Sequence, residues 1–128
     1  MANIFRAVAL ACAVAGIAAL PAQGPELNTV MHAKLVRAQK ILEAVVTSDW
    51  VELETNSREL EQLTNDPRWT TLKYPEYSKY SGAFVRAVQD LHAAASKREL
   101  EETPKAYVAM TLRCVECHRY LARARLAR

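Results

Sequence analysis

Glycine is scarce in this chain of 128 residues: there are three, and Gly16 and Gly24 lie near the N-terminus. So little turn-forming residue argues against a fold of many short strands. No segment alternates apolar and polar residues over a useful length either, so strands are not expected. There is no internal repeat, low-complexity tract or extended linker. No phosphate-cradling loop, Ser-His-Asp set or paired-carboxylate arrangement stands out, and no enzyme activity is expected. The formal net charge of +3 is too small to point to nucleic acid. Cysteine is nearly absent, with Cys12, Cys114 and Cys117 only.

The one long apolar run is N-terminal. Arg6 precedes an uncharged stretch from Ala7 to Leu20, and Leu20-Pro21-Ala22 partly satisfies the small-residue rule for cleavage. Residues 1–22 therefore read as a secretory signal peptide, with an uncleaved anchor as the competing reading. The run is short for a membrane span, so no stable span is expected after cleavage. Cys12 falls within it and would be discarded. Arg6 is the only charge removed, so residues 23–128 carry a net charge of +2. They suit one domain.

Within that domain the apolar residues recur at helical spacing in four segments. The first runs from about Glu26 to Thr47, with a stripe of Leu27, Met31, Leu35, Ala38, Leu42 and Val45. The second runs from about Trp50 to Thr64, opening on a capping-box-like Asp49…Glu52 and stopped by Asn65-Asp66-Pro67. Trp50, Leu53, Ser57, Leu60 and Thr64 mark its inner face. The third begins near Pro75 and buries Tyr77, Ser81, Phe84, Val88, Leu91 and Ala95. The fourth begins with Thr103 as N-cap and Pro104 as its first residue, with a stripe of Tyr107, Met110, Cys114, Cys117 and Leu121. The expected fold is all-α, an up-down-up-down antiparallel four-helix bundle.

Cys114-Val115-Glu116-Cys117-His118 matches C-x-x-C-H, the c-type haem attachment signature. Two thiols must reach the two vinyl groups on a porphyrin edge while an imidazole reaches the iron. On a helix these three residues stand at i, i+3 and i+4 and share one face. A redox disulfide is the first competing reading, but it normally sits in a βαβ context. Half of a zinc site is the second, but no further cysteine pair remains to complete it. Export and haem attachment point to the same compartment, the bacterial periplasm. The bundle order places the haem near the end of the last helix. Its walls are expected from Leu27 to Leu35, Leu60 to Thr64 and Tyr77 to Phe84, with the loop of Trp69 and Tyr74 closing over it.

Met31, His32, His92 and Met110 could each ligate the second face of an iron. His92 lies about 22 Å along the third helix from its start, and Met110 is one turn before Cys114 on the same helix. His32 points about 100° away from the inner stripe that carries Met31. Met31 is the preferred distal ligand; ordinary core packing is its alternative. A thioether opposite an imidazole suits electron transfer. Arg119, Arg123, Arg125 and Arg128 form a basic run, read first as a solvated helix end and second as a docking patch for an acidic redox partner. The acidic residues Glu59, Glu61, Glu99, Glu101 and Glu102 read as solvated surface.

A C-x-x-C-H motif close to the C-terminus of an exported, four-helix chain resembles the cytochrome c′ family, over roughly residues 25–125. Low-spin members of that family carry a Met early in the first helix, and Met31 occupies a matching place. The sequence departs from the family after the motif: Tyr120 comes two residues after His118, Leu121 stands third, and Arg123 falls one place late. The resemblance implies one covalent haem c and its iron, held by Cys114, Cys117 and His118 with Met31 as sixth ligand. It implies a periplasmic electron carrier with redox partner proteins, and homodimers through the first two helices are an arrangement open to such bundles. The alternative is a five-coordinate protein that binds nitric oxide or carbon monoxide. A third reading gives the haem a mainly structural role.

Overall fold

The computed structural model describes residues 25–126. The N-terminal segment read as a signal peptide, Cys12 and Arg128 lie outside the described residues. The described chain is all-helical, with four α-helices and one short 3-10 helix and no strand. In chain order these are α1 (Pro25–Thr47), α2 (Trp50–Leu63), the 3-10 turn (Pro67–Thr70), α3 (Pro75–Ser96) and α4 (Glu102–Leu126). This composition is that of a four-helix bundle. No described helix is long and apolar enough to cross a membrane.

Local chemistry accounts for the boundaries. Asp49 caps α2, its Oδ1 accepting from the Glu52 N–H at 3.1 Å. The reciprocal half of the capping box does not form. Glu52 instead turns its carboxylate to the Asn56 amide at 2.9 Å, and the Asp49 N–H donates to the Ala44 carbonyl at 2.9 Å. Asn56 is thereby satisfied although buried, since it also accepts from Arg37 at 3.1 Å. Asp66 caps the 3-10 turn and Pro67 opens it. Pro75 opens α3, where its missing N–H costs nothing. α1 and α3 are each followed closely by a residue in the left-handed region that is not glycine, Ser48 (φ 57°) and Arg98 (φ 56°).

Two expectations need correction. α4 begins at Glu102, one residue before the expected N-cap. Both the N–H and the hydroxyl of Thr103 bond back to the Glu99 carbonyl, at 3.0 and 2.7 Å, so Thr103 lies inside the helix. In α1 the buried face is Leu27, Val30, Lys34, Ile41 and Ala44. Leu35 and Leu42, expected inside, are 53% and 47% exposed. Each follows a buried residue by one position, which is about 100° around the helix. Two stripes of three-and-four spacing coexist in α1, and the one containing a lysine is the buried one.

The other stripes hold. Leu53, Ser57 and Leu60 of α2 are buried, as are Phe84, Val88 and Leu91 of α3 and Met110 of α4. Apart from the polar Ser57, they form one continuous core with Val30, Ile41 and Trp69. Packing of this kind, more than helix propensity, holds helices of this length in place.

Candidate functional site

One cavity of about 190 Å³ joins the early turns of α1, the 3-10 turn, the first half of α3 and the late turns of α4. α1 contributes Leu27, Met31 and Lys34; α3 contributes Tyr77, Ser81 and Phe84; α4 contributes Cys117, His118 and Leu121. Trp69 enters from the 3-10 turn. Met31 and the Cys117–His118 pair, separated by more than eighty positions in the sequence, thus line a single space. The expected wall from Leu60 to Thr64 does not: Leu60 is wholly buried in the core, and Trp69, expected from the closing loop, lines the cavity. Tyr74 is exposed and stands outside the lining.

The three motif residues sit as a helix dictates. Cys114 is half-buried against the core, with its thiol directed to the Met110 carbonyl at 3.5 Å. Cys117, one turn on, lines the cavity. His118 lines it too, from an exposed position. Both cysteines are free thiols. Burial pushes both thiols above their ordinary pKa, opposed by the charge of Lys34. Burial, with Lys34 second, holds the His118 imidazole below its ordinary value. A neutral imidazole keeps the lone pair that a metal requires.

The aromatic wall is anchored. Trp69 and Phe84 lie 5.5 Å apart, centroid to centroid. The Trp69 indole N–H donates to the Ser81 hydroxyl. Tyr77 donates to the Trp69 carbonyl at 2.5 Å. Tyr80 of α3 stacks on Tyr120 of α4 at 5.2 Å and reaches the lining as well. These contacts fasten the 3-10 turn and α4 to the same stretch of α3.

Lys34 was not anticipated. It is 8% exposed, and its ammonium stands 3.4 Å from the Phe84 ring centroid and 4.6 Å from that of Trp69. Cation–π attraction returns part of the cost of burial. The sequence signal was its place three residues after Met31, in phase with Leu27 and Ile41.

The other candidates fall elsewhere. His32 is exposed. His92 Nδ1 bonds to Glu61 at 2.8 Å and lies outside the lining. Met110 is fully buried in the core. Arg119 and Arg123 are exposed on α4. No group of three or more His, Cys, Asp or Glu side chains able to hold a metal ion forms among the described residues. No protein-family model matches this chain, and comparison with curated proteins and with solved structures returns no match.

Proposed function

We propose that this chain is an exported, periplasmic monohaem c-type cytochrome of the cytochrome c′ kind that carries electrons. The observation that carries this reading is the convergence of Cys117, His118 and Met31 on one cavity, with Cys114 one turn below. An up-down-up-down helix order would bring early α1 and early α3 beside late α4.

The residues fit a haem by the chemistry of the donor set. Cys114 and Cys117 would each add S–H across a vinyl group, sulfur to one carbon and hydrogen to the other, so attachment needs no oxidant. Free thiols are the required starting state, and both are free. His118 would bind the iron through its neutral imidazole. Met31 would supply a thioether from α1, and a Met/His pair favours the reduced state. Leu27, Trp69, Tyr77 and Phe84 would exclude water from the macrocycle. When bound, haem supplies a one-electron couple.

The cavity beside Met31 supports a second reading, in which Met31 only packs and a small gas binds on that side. Absorption spectra of the purified protein separate the two. Covalent haem by mass, low-spin bands in the wild type and high-spin bands in Met31→Ala support the carrier. High-spin wild-type bands with ready carbon monoxide binding support the second reading. Colourless protein with the mass of the bare polypeptide, made in a host competent for cytochrome maturation, would end both.

A further inference from the structure

Lys34 has no place in the ligand set, yet it is among the most buried charged side chains described. Arg37, Arg68, Lys105 and Arg113 each pair with a carboxylate, at 2.6–2.8 Å. Lys34 has no carboxylate partner among the described residues. Its ammonium instead lies against the faces of Trp69 and Phe84, inside the lining that also holds Met31, Cys117 and His118. A buried cation without a counter-charge is costly. It also projects its field into the cavity with little screening, because the surroundings are apolar.

We propose that Lys34 sets the redox poise of this site: its charge, which no carboxylate of the described residues offsets, opposes the gain of positive charge in the cavity on oxidation, and so raises the reduction potential. The inference rests on the haem reading given above. A haem held by Cys114, Cys117 and His118 would supply a one-electron couple, its electron passing to and from a one-electron redox protein. Lys34 exchanges no atom and no electron. It acts through space on the difference between the two states, as buried charge does at redox centres generally. The Met31 thioether would favour the reduced state by ligation, and Lys34 would favour it by charge. The two effects are separable because they belong to different side chains on successive turns of α1.

The test is a spectroelectrochemical titration of the intact holoprotein and of Lys34→Gln and Lys34→Arg. Lys34→Gln removes the charge without adding volume, and Lys34→Arg keeps it. The expected result is a lower midpoint for Lys34→Gln, by at least a tenfold change in the reduced-to-oxidised ratio at fixed ambient potential, about 59 mV for one electron. Lys34→Arg stays close to wild type, and the bands of all three keep their positions. An unchanged midpoint in Lys34→Gln, or an equal fall in both variants, overturns the proposal and assigns Lys34 to packing. A change of spin state in Lys34→Gln also overturns it, because Lys34 would then be a ligand. Absence of covalent haem from the wild type fails the parent reading and is seen before any titration; a coloured protein with an unchanged midpoint fails this one alone.

Discussion

Tyr77 donates its phenolic hydrogen to the backbone carbonyl of Trp69, 2.5 Å away, and so ties the 3-10 turn to α3 at the wall of the cavity. Both residues are buried, at 3% exposure each. The bond gives a polar group inside the wall its partner, and it positions Trp69 beside Phe84 and Lys34.

Tyr77→Phe removes that donor and leaves the Trp69 carbonyl unpaired. A loss of about 1–3 kcal/mol follows, measured by urea unfolding. Because the ring is kept, the core should stay packed, and the deficit should exceed that of Tyr74→Phe at an exposed site.

Alkaline titration reads the same bond. Burial pushes the Tyr77 hydroxyl up to about 12 from an ordinary value of 10.0. A raised folded-state pKa means that this contribution to stability is complete below pH 10 and is lost as pH rises towards 12. Ultraviolet titration of tyrosinate should show one late-ionising group, absent in Tyr77→Phe. Its ionisation should accompany loss of stability.

Lys34 gives the opposite slope. Burial holds its pKa below the ordinary 10.5, so between the two values the unfolded chain binds more protons than the folded one. Stability supplied by this position therefore rises with pH across that window. Lys34→Gln should be more stable than wild type at neutral pH, by about 1–3 kcal/mol. The advantage should shrink as pH approaches 10.5, as read by urea midpoints from pH 6 upward.

On the haem reading proposed above, the two described methionines should part cleanly. Met110→Ala leaves a hole in a fully buried position and should cost about 2–5 kcal/mol with the visible spectrum retained. Met31→Ala should cost less, because Met31 is only half-buried, and should convert low-spin bands to high-spin ones. The pair compares core packing with ligation in one experiment.

Much of this site could be read from residue spacing. Cys114, Cys117 and His118 were legible because helix geometry fixes i, i+3 and i+4 on one face whatever surrounds them. Cys117 and His118 line one cavity with Met31, while Cys114 packs against the core one turn away. The phase of α1 was not legible, because apolar residues stand at adjacent positions and the buried stripe includes a lysine. Hydropathy ranks Leu35 above Lys34. Two aromatic faces contributed from other elements reverse that order, and one-dimensional periodicity cannot register them. Trp69 was expected at the site from its loop, and it lines the cavity; that the loop forms a 3-10 turn was not legible, because four residues have no period to detect.

Ser48 and Arg98 hold left-handed backbone without glycine, a geometry that costs an ordinary side chain roughly 1–2 kcal/mol. Neither residue borders the cavity. Glycine at these two corners would relieve that strain at sites remote from the thiols and the imidazole. Robustness and the chemistry of the cavity are therefore open to separate adjustment in this scaffold, the first at its joints and the second in its interior.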